Sequence, residues 1–154
     1  MNMARRDWPA ALCELPAKEL KEAVASLLHD VEVHDVVLPQ AGLGLLNMRD
    51  GAFHESYFIG EMPVARAEVI LRTAAGNEVR GGTVIVDDRA QFARNIAILD
   101  AVLAGRLEGW ERAAALVQRG IALRKQKDNE RRQQLAATRV DFSLLGQEGD
   151  EDEA

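Results

Sequence analysis

Residues 64–72 read VARAEVILR, and the fold turns on how that stretch is read. Side chains alternate across an extended chain, so Ala65, Ala67, Val69 and Leu71 fall on one side while Arg66, Glu68 and Arg72 fall on the other. A strand patterned this way packs one face on a core and wets the other, as antiparallel sheets commonly do. The same period runs through VEVHDVVLP (31–39), GLGLLNMRD (42–50), SYFIG (56–60) and EVRGGTVIV (78–86), which makes about five strands. Pro39 and Gly42 are expected to end the first, Asp50-Gly51 to turn the chain after the second, and AAGN (74–77) to turn it after the fourth. RGG (80–82) reads as a bulge. Strands joined by such short connections must pair mainly antiparallel, because parallel neighbours need a long crossover.

Helical periodicity flanks the sheet on both sides. An N-terminal helix begins at Asp7 and Pro9 and restarts at Pro16, since proline is tolerated in a first helical turn. Leu20, Val24, Leu27 and Leu28 form its apolar face. After the sheet, Asp88 with Gln91 three residues on reads as an N-cap signature, and Phe92, Ile96, Leu99 and Leu103 make the buried stripe of a helix that Gly105 ends. A second helix starts near Leu107 with Trp110, Ala114, Val117 and Ile121 on one face. Its apolar pattern stops at RKQKDNERRQQ (124–134), yet nearly every residue there favours helix. Helices polar on all sides project into solvent or bridge between bodies. The reading is an α+β domain over residues 1–146: N-terminal helices, a mainly antiparallel sheet and two C-terminal helices, the last projecting toward an apolar hook at Val140, Phe142, Leu144 and Leu145. Residues 147–154 are expected to be a disordered acidic tail.

The chain has 154 residues and a net charge of -6, but Glu148, Asp150, Glu151, Asp152 and Glu153 supply five of its acids. By contrast, nine bases and four acids lie between Arg106 and Arg139, which leaves a basic helix followed by an acidic end. No apolar run approaches the roughly 20 residues that span a bilayer, so no membrane association is expected. One cysteine, Cys13, cannot form an internal disulfide, and a cytoplasmic location is expected.

Few residues suggest chemistry. His29, His34 and His54 have no second histidine or cysteine at metal-ligand spacing. AGLG (41–44) lacks the lysine and hydroxyl of a phosphate loop and leads into a strand. Cys13 lies on an amphipathic helix without a neighbouring base. The expectation is no catalytic residue and no metal. The basic helix at 106–139 could hold nucleic acid or a phosphorylated ligand as a stand-alone binding module, but its cations are not interleaved with aromatic stacking residues. Nucleic acid is therefore the lesser reading, and a solvated helix face the favoured one.

Four stretches together resemble one family. PQAGLGLLNMRD (39–50), GEMPVARAEVIL (60–71), DDRAQFARNIAILDAVL (87–103) and AATRVDFSLL (136–145) are similar, in order, to the motifs of PhnG, a component of the bacterial carbon-phosphorus lyase system. The match runs from Arg6 and Trp8 to Phe142, and departs at Ala65, where threonine is usual, and at Ser143, where a second aromatic is common. The resemblance implies a non-autonomous subunit working with the H, I and J subunits of that system and an ATP-binding partner L. Together with these partners, a PhnG chain would support α-D-ribose 1-methylphosphonate 5-triphosphate synthase activity, in which an alkylphosphonate displaces the adenine of MgATP. The J component later breaks the carbon-phosphorus bond. The resemblance brings no catalytic residue to this chain and no cofactor of its own, MgATP being a substrate of the complex. Arg66, Glu68, Arg139, Val140, Asp141, Phe142, Leu144 and Leu145 are the expected partner interface, with Phe142 the anchor because aromatics dominate interface hot spots.

Overall fold

A computed structural model describes residues 4–138. After a 3-10 turn at Arg5–Asp7 come helices α1 (Trp8–Leu12) and α2 (Ala17–Leu27). Strands β1 (Val31–Arg49), β2 (Ser56–Thr73) and β3 (Glu78–Ile85) follow, then helices α3 (Ala90–Gly105) and α4 (Trp110–Ala137). The strands form one antiparallel sheet in the order β1-β2-β3. The α+β class holds, but the sheet has three strands rather than about five.

The difference has a local cause. Pro39 lies inside an irregular stretch of β1, where the register against β2 shifts between Val37 and Gln40. A bulge needs no ladder hydrogen bond at that point, so proline bends the strand without ending it. Pro63 lies beyond the end of β3, where β2 has no third strand beside it, and it too is accommodated. The first two expected strands therefore fuse into β1, and the next two into β2. The loop after β1 forms where Asp50-Gly51 marks it: Asp50 Oδ2 accepts the Phe53 N–H at 2.6 Å.

RGG is not a bulge, because β3 pairs with β2 without a break from Glu78 to Ile85. Gly81 is there because α3 lies directly on it: a Cβ would stand 2.1 Å from the Ala97 carbonyl oxygen. The helix after β3 also differs from expectation at its start. Arg89, not Asp88, occupies the cap position and gives no side-chain cap bond. Asp87 instead accepts both the Arg89 backbone N–H and its guanidinium.

The core forms between one face of the sheet and the helices. Ala65, Val69 and Leu71 of β2 are fully buried on the sheet face that α3 covers, and Phe92, Ile96, Ile98, Leu99 and Val102 of α3 are buried in the same core. Leu12, Leu20 and Val117 close the far side of that helix layer. Asp100 is the one buried acid among the described residues. Its carboxylate accepts Arg5 Nε at 2.9 Å, Arg5 Nη2 at 2.7 Å and the Gly82 N–H at 3.0 Å. Arg5 also donates to the Arg80 carbonyl oxygen on the open edge of β3, so the N-terminal turn is stitched to α3 and blunts an exposed edge. Arg94 of α3 pairs with Asp35 of β1 at 2.7 Å and fixes the helix over the opposite strand.

Candidate functional site

β3 ends at Ile85, opposite Ala65, while β1 and β2 continue as a pair to Arg49 and Ser56. This extension, residues 42–64, is a two-stranded arm beyond the core. Cross-strand partners share a face, so Leu43 with Pro63 and Leu45 with Glu61 continue the core-side face begun by Ala41 and Ala65. After the register shift at Leu46/Asn47, Asn47 and Phe58 extend it. Met48 with Tyr57, and Gly44 with Met62, lie on the opposite face.

No described residue buries these side chains. Leu43 is 69% exposed, Leu45 62%, Phe58 59% and Phe53 at the tip 82%. Two isolated strands are marginal in water, and contiguous exposed apolar patches on proteins mark interaction sites. Sequence reasoning gave GLGLL and SYFIG to ordinary half-buried strands. The signal it missed is the parity of the apolar residues: Leu43, Leu45 and Leu46, like Tyr57, Phe58 and Ile59, occupy both faces, which a sheet with one wet side would not need.

Arg66 and Glu68 lie at the base of the arm on the outer sheet face. Arg66 Nη2 donates to Gln40 Oε1 across the β1–β2 ladder at 3.2 Å, and Glu68 forms an ion pair with Arg80 across β2–β3. Together with Val37, Gly82 and Val84 they line a shallow recess of about 270 Å³. The remaining expected interface residues, Arg139, Val140, Asp141, Phe142, Leu144 and Leu145, lie outside the described residues, as does the acidic tail.

α4 is anchored to the N-terminal helices by contacts that reach as far as Lys127. Arg112 donates to Ser26, Arg119 pairs with Glu19 and Lys127 pairs with Glu14 at 2.6 Å. At Gly120 the backbone of α1 comes so close that a Cβ would sit 2.0 Å from the Ala11 carbonyl oxygen. From Arg124 to Thr138 every described residue is exposed.

The residues weighed for chemistry lie apart. His29, His34 and His54 are exposed on separate segments. Among the described residues, no three His, Cys, Asp or Glu side chains come together to hold a metal. Burial, with Asp87 nearby, pushes the Cys13 thiol up to about 11, away from nucleophilic character at neutral pH. The Asp87 carboxyl is held below the ordinary range, first by Arg89. Among the described residues, no helix is long and apolar enough to cross a membrane.

An α+β core that leaves an apolar two-stranded arm uncovered has the form of a subunit, with its surface completed by other chains. Sequence similarity gives the family. The family described as "Phosphonate metabolism protein PhnG" matches residues 3–147, and the chain belongs to it. The "Alpha-D-ribose 1-methylphosphonate 5-triphosphate synthase subunit PhnG" of Rhizobium meliloti (strain 1021) is 32% identical over 143 residues, covering 92% of this chain and 87% of that protein.

Proposed function

We propose that this chain is a subunit of the carbon-phosphorus lyase complex in organic phosphonate breakdown. It supports the synthase step in which an alkylphosphonate displaces the adenine of MgATP to give the ribose 1-phosphonate 5-triphosphate. Family membership supports the pathway, and the similar protein's description as a synthase subunit supports the step. The observation that carries the subunit role is the arm: Leu43, Leu45, Phe58 and Phe53 are more than half exposed on a scaffold whose core is otherwise well buried.

The role is structural rather than catalytic. The arm, the outer-face pair Arg66 and Glu68, and the segment Arg139, Val140, Asp141, Phe142, Leu144 and Leu145 meet the H, I and J subunits. MgATP is a substrate of the complex handled with partner L, and this chain brings no cofactor. The setting is cytoplasmic. Co-expression with candidate H, I and J subunits, capture through a tag on this chain and mass determination of the eluate test the reading. A stable hetero-oligomer is the expected result, and a lone monomer that ignores all three would overturn it.

A further inference from the structure

From Arg124 to Thr138 the last helix is exposed, yet one stripe of it walls a recess. Close packing of Gly120 on Ala11 brings α1 against α4, and beside that contact lies a recess of about 340 Å³. Its lining comes from successive turns of α4, Ile121, then Arg124 and Lys125, then Asp128 and Asn129, then Arg132, with Ala11 of α1 as the remaining wall. Residues three and four apart share one helix face, so these side chains stand together by construction. The volume suits a small ligand.

Three bases and one acid line the recess, which leaves it positive. Other bases of α4 that reach the N-terminal segment are neutralised there, Arg119 by Glu19 and Lys127 by Glu14. Among the described residues, Arg124, Lys125 and Arg132 enter no such pair, although Asp128 stands four residues from both arginines on the same face. Charges of one sign around a concave wall focus their field into it, so an anion there is attracted by all three bases at once.

The spacing of the bases sets the class of anion. Arg124 and Arg132 are about 12 Å apart along the helix axis at 1.5 Å per residue, too far for a single phosphate to meet both at close range, whereas a chain of phosphates spreads its charge along that line. Asn129 adds amide donors between them. None of the lining residues is aromatic, so a nucleic-acid base finds no stacking partner. An acidic protein surface would draw on the bases of the helix generally, but the recess selects Arg132 and leaves out its neighbour Arg131.

We propose that this recess binds a polyphosphate, inorganic or carried on a small molecule, with Arg124, Lys125 and Arg132 holding phosphate oxygens and Asp128 limiting the affinity. The site goes beyond the subunit reading and needs neither partner chains nor turnover.

The test is a titration of the full chain, isotopically labelled, with inorganic triphosphate at low ionic strength, because salt screens exposed charges. Expected are saturable amide shifts centred on Ile121 to Arg132 and on Ala11, with a Kd below about 1 mM. Orthophosphate should bind at least about tenfold more weakly. A nucleoside triphosphate separates the two sources: equal affinity assigns the site to polyphosphate alone, and tighter binding with the same shifts assigns it to a phosphorylated small molecule. Arg132→Ala should weaken triphosphate binding about tenfold, and Asp128→Asn should tighten it about threefold. Arg131→Ala makes the same charge change just outside the lining and should alter affinity less than about twofold. Alanine favours helix, so the two arginine variants retain the fold. Equal losses for Arg131→Ala and Arg132→Ala, or orthophosphate as tight as triphosphate, would reduce the recess to a diffusely basic helix and overturn the proposal. Absence of shifts at about 10 mM triphosphate would do the same, as would a single-stranded oligonucleotide that binds more tightly with shifts spread along all of α4. None of these readouts requires partner subunits, so failure here leaves the co-expression result standing, and the reverse.

Discussion

Asp100→Ala removes the carboxylate that joins three parts of the fold. Three hydrogen bonds disappear together: two from Arg5, at 2.9 and 2.7 Å, and one from the Gly82 N–H at 3.0 Å. Their gross strengths do not add, because the Arg5 side chain is 51% exposed and rehydrates once freed. The Gly82 N–H is less well placed, since α3 lies over the adjoining Gly81, and a buried orphan donor costs about 1–3 kcal/mol. With the lost charge-assisted pairing, the expected destabilisation is about 3 kcal/mol. At a urea slope of about 2 kcal/mol per molar this moves the unfolding midpoint down by about 1.5 M. Asp100→Asn retains an acceptor for Gly82 and should lose about half as much. Equilibrium unfolding in urea, followed by far-UV circular dichroism, measures both. A loss below about 1 kcal/mol for the alanine variant would refute the reasoning, as would equal losses in the two variants.

Other expectations follow from the same packing. Gly81→Ala should cost about 3 kcal/mol or more, because its Cβ would stand 2.1 Å from the Ala97 oxygen and α3 would have to move; a urea midpoint unchanged from the parent contradicts this. Cys13, with its thiol pushed up to about 11, should react slowly with iodoacetamide at neutral pH and faster as pH rises toward that value, so rapid alkylation at neutral pH would show the thiol to be free. Asp87 is depressed in the folded state, chiefly by Arg89, so its stabilisation is present above the unfolded carboxylate value and lost as pH falls through the lower folded one. Asp87→Asn should therefore flatten the acid limb of stability against pH, and an unaltered limb argues against the pairing. Phe142→Ala should weaken assembly while barely changing the unfolding of the isolated chain; an intact complex with an unfolded monomer would place Phe142 in the chain's own core.

The periodicity of VARAEVILR located the core face correctly, because a strand buried on one side must alternate, and Ala65, Ala67, Val69 and Leu71 are all buried. The stripe Phe92, Ile96, Leu99 and Leu103 was legible for the same reason. Strand ends were not. Proline and glycine mark where a regular ladder is disturbed, but whether disturbance means a turn or a bulge depends on neighbours far away in sequence, as at Pro39 and Pro63. Gly81 illustrates the same limit, its requirement being set by α3 some 16 residues later. The arm was hidden because exposure is a property of where β3 stops. Leu43 and Phe58 look like core residues until Ile85 is seen to end the third strand opposite Ala65.

The central claim is that the apolar arm serves partners and not the chain's own core. Leu43→Glu with Leu45→Glu, placed in the chain during co-expression with the H, I and J subunits, tests it when particle mass and the urea midpoint of the isolated variant are measured together. The account predicts loss of the chain from the particle with its own midpoint unchanged. An intact particle, or a variant that fails to fold alone, would contradict it.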